Sequence, residues 1–178
     1  MSVAKFSSLM KVAGLFLMAT GLQSCGGGSS SGGGSSAAAG FDVELEMRAN
    51  NGAPSSSFAF GNNIVFALIV TNRSGAAQIL SLPSTQIYDL AVLPEGSATP
   101  RWRWSFNRVF QPTETNLTFA GHQTITYLYI WPGVLEDGTQ IMPGSFDVRA
   151  TLAYPNYAAD WRASDELAAP IRKLTITN

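Results

Sequence analysis

The stretch from Ser84 to Gln111, STQIYDLAVLPEGSATPRWRWSFNRVFQ, restricts what this chain can fold into more than any other part of it. Tyr88, Leu90 and Val92 alternate with Ile87, Asp89 and Ala91, the period of two that a half-buried strand requires. Pro94-Glu95-Gly96 then reads as a turn, with Pro pre-setting φ at the second position and Gly suiting the fourth. The return run Arg101-Trp102-Arg103-Trp104 puts both indoles on one face and both guanidinium groups on the other. Rings inward and charges outward is the arrangement that buries the most apolar surface. Each buried indole withdraws roughly 150–250 Å² from water, an upper limit of about 4–6 kcal/mol. A hairpin carrying two such rings needs a second layer to cover them.

The rest of the chain supplies further strands of the same kind. Phe41 to Arg48 alternates apolar and charged residues without a break, which fits an antiparallel strand near a sheet edge with Glu44 and Glu46 on its wet face. Asn50 to Ser57 reads as loop. Asn63 to Asn72 is apolar at both parities and rich in β-branched residues, as a central strand is. Gln78 to Leu82 is a short strand ended by Pro83. In His122 to Trp131, Ile125, Tyr127, Tyr129 and Trp131 share one parity and Thr124, Thr126, Leu128 and Ile130 the other. Ser145 to Ala153 and Ile171 to Thr177 complete the set, and a short helix around Ser164 to Leu167, capped by Ser164, fits the polar stretch between them. Many short strands with turn signals between them, and no helical periodicity, predict an all-β, immunoglobulin-like antiparallel β-sandwich over residues 41–178.

The first forty residues follow other rules. Lys5 and Lys11 precede the short apolar run Val12 to Leu22, about half the ~20 residues a membrane-spanning helix needs, so residues 1–24 read as a cleaved signal peptide. Leu22-Gln23-Ser24-Cys25 resembles the bacterial lipobox, which implies that Cys25 is acylated as the first mature residue. Cys25 is the sole cysteine, so no intramolecular disulfide competes for it. Several acyl chains, each buried CH₂ contributing about 0.8 kcal/mol, give a durable membrane anchor. By resemblance to lipoprotein sorting, Gly26 after the Cys implies the outer membrane if the host is Gram-negative. Residues 25–40 continue as a Gly/Ser tether with a reach of roughly 20–23 Å.

Charge and residue types narrow the function. From Phe41 onward, nine Lys and Arg stand against twelve Asp and Glu, a net of about minus three that offers no basic patch for nucleic acid. His122, the one histidine, sits in a turn beside Gly121. No serine lies in a nucleophile elbow, and no His, Cys or carboxylate spacing suits a metal. The residues therefore point away from an enzyme and call for no cofactor.

Several segments together resemble the BsuPI-type intracellular proteinase inhibitor domain over most of Phe60 to Leu152. They are Val70-Thr71-Asn72, Gln86-Ile87-Tyr88-Asp89-Leu90, Trp102-Arg103-Trp104-Ser105 with Phe110-Gln111, Leu117 with Gly121, Tyr127 to Trp131, and Pro143-Gly144 before Phe146. The resemblance implies an immunoglobulin-like fold and, as for the family's namesake, inhibition of a subtilisin-like serine protease. The loops Arg108 to Thr115 and Trp131 to Pro143, rich in Pro or Gly, are the candidates to enter a protease cleft. The namesake works inside the cell, whereas this chain carries an export signal. That difference favours a second reading, a non-catalytic envelope lipoprotein that binds a protein or polysaccharide partner. Its contact residues would be Trp131, Tyr154, Tyr157 and Trp161, aromatics at strand ends or in the late insertion.

Overall fold

The apolar run at both parities becomes the middle of a sheet. In the computed structural model, which describes residues 40–152 and 167–178, ten strands form. They are β1 (Phe41–Arg48), β2 (Ser57–Ala59), β3 (Ile64–Asn72), β4 (Gln78–Leu82), β5 (Tyr88–Pro94), β6 (Trp102–Arg103), β7 (Thr115–Phe119), β8 (Thr124–Trp131), β9 (Gly144–Leu152) and β10 (Arg172–Thr177). One sheet has the order β1-β3-β8, a second β2-β10-β9-β5-β6, and β4 pairs with β7. β3 is antiparallel to both neighbours, with Leu68 opposite Leu45 on one side and Tyr127 on the other.

Aromatic rings from the two larger sheets meet between them, and the described strands form a β-sandwich of immunoglobulin type. Phe66 of β3 lies 6.2 Å from Trp102 of β6 and 5.7 Å from Trp131 of β8. Trp102 also packs on Tyr129 at 5.6 Å and on Trp131 at 5.2 Å, while Tyr88 of β5 meets Tyr127 of β8 at 5.5 Å. The alternation of β8 is obeyed throughout: Ile125, Tyr127 and Tyr129 turn to the core, and Leu128 and Ile130 turn to water.

That alternation corrects one expectation. Trp131 is not an exposed contact residue: it is 0% exposed, stacked on Phe66, and its Nε1 donates to Val134 O at 2.9 Å. It ends a strand whose inward parity it shares, and Leu135 and Ile141 from the following loop are buried in the same core cluster. Cys25, Tyr154, Tyr157 and Trp161, and the helix expected from Ser164, lie outside the described residues. Past them, Leu167 is buried and Ala168 bridges to Thr151.

Other departures are local. The segment read as loop up to Ser57 runs into β2, whose Phe58 is buried and which pairs in parallel with β10, Ser57 opposite Thr175. Three residues are too few to display an alternation. In the hairpin turn, Ser97 N donates to Pro94 O at 2.9 Å and Gly96 has φ +71°, so Pro94 is the first residue and Gly96 the third. The return strand is short, but Arg101 N donates to Val92 O and Trp104 N to Leu90 O, both at 2.9 Å, so the ladder covers all four residues expected.

At one turn cluster, the fully buried Asn72 ties backbone to backbone. Its Nδ2 donates to Ala76 O and Ala120 O, both at 2.9 Å, and its Oδ1 accepts from Ser74 N at 2.9 Å. The β3–β4 and β7–β8 turns approach so closely that a Cβ on Gly121 would lie 2.3 Å from Gly75 O. His122 belongs to this structural cluster, its N donating to Ser74 O at 3.0 Å.

Candidate functional site

The Tyr-Asp and Trp-Arg-Trp-Ser segments noted in the sequence meet at a single carboxylate. Asp89, 3% exposed, sits on β5 opposite the start of the loop that follows β6. Its Oδ1 accepts from Leu90 N at 2.9 Å and Ser105 N at 3.1 Å. Its Oδ2 accepts from Ser105 Oγ at 2.7 Å and from Arg103 Nε at 2.5 Å. Arg103 lies on the face opposite the core-facing Trp102, as its parity predicts, and the β5–β6 register lets it meet Asp89 there. A buried carboxylate is stable only when its oxygens are occupied in this way. The outcome is a fixed base for the loop, and no oxygen of this carboxylate is offered for chemistry.

From that base Trp104 extends as a platform. Its ring packs on Tyr88 at 4.5 Å and on Phe110 at 5.7 Å, and the Arg108 guanidinium lies 4.4 Å from its centroid. Arg108 Nε also donates to Trp104 O at 2.8 Å. Asn107, at φ +56°, supplies the tight bend that lets Arg108 return to the ring. Beyond Phe110, Gln111 N donates to Thr85 Oγ1 at 3.0 Å and Gln111 O accepts from Thr85 N at 3.1 Å. Both sides of the loop are tied down, and Val109 between them is 92% exposed. Burial raises the pKa of the Tyr88 hydroxyl beneath the platform, with the nearby Arg108 charge opposing the shift.

The second nominated loop lies next to the first. Trp104, Phe106, Arg108, Tyr129, Val134 and Glu136 contribute to an open cleft of about 280 Å³ between the two. The loop after Trp131 is folded inward: Leu135 N donates to Thr139 O at 2.8 Å, Ile141 N donates to Gly133 O at 2.7 Å, and Leu135 and Ile141 are buried. Asp137 Oδ1 accepts from Thr139 N at 2.9 Å and Thr139 Oγ1 at 2.5 Å, which holds its carboxyl below the ordinary range. Of the aromatic contact residues expected from sequence, the only one described is Trp131, which forms the floor under this cleft. The residues that sequence reasoning missed are Trp104 as a half-buried platform and Val109 as an exposed tip. The signal for them was the break in alternation after Trp104.

The Ser105 hydroxyl at this site donates to the buried Asp89 carboxylate as part of the clamp. Among the described residues, no three His, Cys, Asp or Glu side chains are grouped to hold a metal ion. The family described as "BsuPI: Intracellular proteinase inhibitor" matches residues 53–157, more than half of the 178-residue chain. The chain belongs to this family. The BsuPI match runs from the approach to β2 through β9, and so includes Asp89, the Trp104 platform and both loops.

No curated protein matches the sequence. Among solved structures, the chain is similar to the CARDB domain of the PF1109 protein from Pyrococcus furiosus, solved with di-metal ions, at 12% identity and a TM-score of 0.38. That match covers 77% of this chain and 94% of that one. A β-glucosidase from Listeria innocua is similar at 9% identity and TM-score 0.39, over 76% of this chain and 16% of the enzyme. One from Erythrobacter marinus is similar at 9% identity and TM-score 0.42, over 77% of this chain and 15% of the enzyme. Likenesses this remote leave the BsuPI match as the comparison that bears on function.

Proposed function

We propose that this chain inhibits a serine protease of subtilisin type, acting as a non-catalytic, lipid-anchored protein of the cell envelope. The observation that carries the proposal is the BsuPI match across the clamped loop, an exposed apolar residue held between two braced neighbours. An inhibitor must enter a cleft built to bind extended chain, and its affinity depends on having lost little freedom on binding. The Asp89 clamp and the Trp104 platform supply that order before any encounter. On this reading the chain performs no chemistry of its own, and the protease is its partner.

The address is part of the same proposal. The run before Cys25, and the Gly/Ser stretch after it, support export, acylation at Cys25 and a tether that lets the domain sample its surroundings. In a Gram-negative host the membrane would be the outer one. The envelope-recognition reading that export favoured now ranks second, because its one described contact residue, Trp131, is in the core. Titrating the full chain against secreted subtilisin-like proteases tests the proposal. Inhibition at micromolar concentration or below is expected, and undiminished peptide hydrolysis across the set would contradict it.

A further inference from the structure

We propose that Val109 is the side chain this inhibitor places in its protease's specificity pocket, and that the pocket is apolar and shaped for a small branched aliphatic group. The inference rests on the inhibitor reading above and goes beyond it by naming the residue and the pocket's chemistry.

Val109 is the most exposed of the large apolar side chains among the described residues, at 92%. An exposed valine alone would mean little, since single apolar residues are common on surfaces. What distinguishes Val109 is its bracing. Arg108 before it and Phe110 after it both fold back onto the one Trp104 ring, at 4.4 and 5.7 Å. Gln111 is then held to Thr85 through two hydrogen bonds. The loop therefore orders every neighbour of Val109 and leaves its isopropyl group without a protein partner. A β-branched side chain adds little rotamer freedom of its own, so presenting it costs little entropy on binding. Because both flanks are held to the same ring, a cut beside Val109 would not separate the ends.

The neighbouring charge argues the pocket's polarity. Arg108 is the cation closest to the tip, but its guanidinium is engaged with Trp104 and lies 6.0 Å from the Tyr129 centroid. A pocket with a carboxylate at its base would have to strip it from the platform. An apolar pocket takes Val109 with the platform intact.

The test is an inhibition series with the mature chain from Cys25 onward against subtilisin and its secreted relatives, using a chromogenic peptide substrate. Val109→Ala is expected to weaken inhibition by about 10-fold, as loss of aliphatic bulk from a specificity pocket does. Val109→Asp is expected to weaken it by about 100-fold or more, because a carboxylate enters an apolar site unpaired. Thermal midpoints of both variants should match the wild type, since the side chain touches nothing in the fold. Wild-type inhibition that Val109→Asp leaves unchanged would overturn this inference while leaving the inhibitor reading standing. A wild-type chain that inhibits none of these proteases would overturn both.

Discussion

The segment from Trp104 to Gln111 and the segment from Trp131 to Ile141 border one cleft, and each contains the kind of residues that mark a surface turn. In the second, Trp131, Leu135 and Ile141 all point into the core, and an Asp137–Thr139 turn closes the segment over them. In the first, the rings of Trp104 and Phe110 pack against each other, both partly buried, while Val109 between Arg108 and Phe110 is exposed. The difference teaches that turn-forming composition says where a chain leaves a strand and not which way its side chains then face. Direction depends on what the first residue of the loop meets. Trp131 meets Phe66 and Trp102, whereas Trp104 meets Tyr88 and a returning Arg108.

Truncating the two indoles is the sharpest way to break this contrast. Trp131→Ala should destabilise the domain by about 3–5 kcal/mol, the range for emptying a large core site, measured by urea unfolding. Trp104→Ala should cost only about 1–2 kcal/mol, because the ring is only partly buried and lies at the edge of the core, yet should weaken inhibition more than its stability loss accounts for. Equal stability losses from the two substitutions would dissolve the distinction between seal and platform.

Removing the clamp gives the next largest effect. Asp89→Ala strips the acceptors from Ser105 and Arg103 and should cost about 2–3 kcal/mol, moderated because Arg103 keeps some water. Urea unfolding reads the stability, and faster amide exchange at Ser105 reads the loosened base of the loop. A variant with native exchange at Ser105 would show that the loop does not depend on the carboxylate.

Acid should separate the loops more gently. The Asp137 carboxyl is held below its ordinary range first by the Thr139 hydroxyl and then by the Thr139 amide. A carboxylate with a lowered folded pKa stabilises above its unfolded pKa, and that contribution is lost as pH falls through the folded value. Exchange at Thr139, corrected for intrinsic rates, should therefore rise as pH drops below the ordinary aspartate range of about 4, with no matching change at Gln111. In Asp137→Asn the acid-induced rise should be absent, and its persistence would place the titrating group elsewhere.

Much of the sandwich was legible because most strands have one face on the core. The parities of β1 and β8 are as the alternation predicts, and the apolar run of β3 does become the central strand. Trp131 shows two cues in conflict, since its parity says inside and its place at a strand end suggests outside. Parity prevailed because the loop beyond it folds back to cover the ring. β2 was hidden by its length, as three residues cannot show a period. The positions of Pro94 and Gly96 in their turn, and the pairing of Arg103 with Asp89, depend on register, which the β5–β6 pairing sets. Val109 was illegible for a different reason: its exposure comes from contacts that its neighbours make with Trp104. Those contacts exist only after the β5–β6 pairing has brought Tyr88 and Trp104 together within one sheet.

Amide hydrogen exchange on the full chain, free and bound to subtilisin, tests most directly whether the braced loop meets the protease. Slower exchange across Phe106 to Gln111 on binding, with Leu135 to Ile141 unchanged, is the predicted result. Protection at Leu135 to Ile141 with Phe106 to Gln111 unaltered would contradict the account.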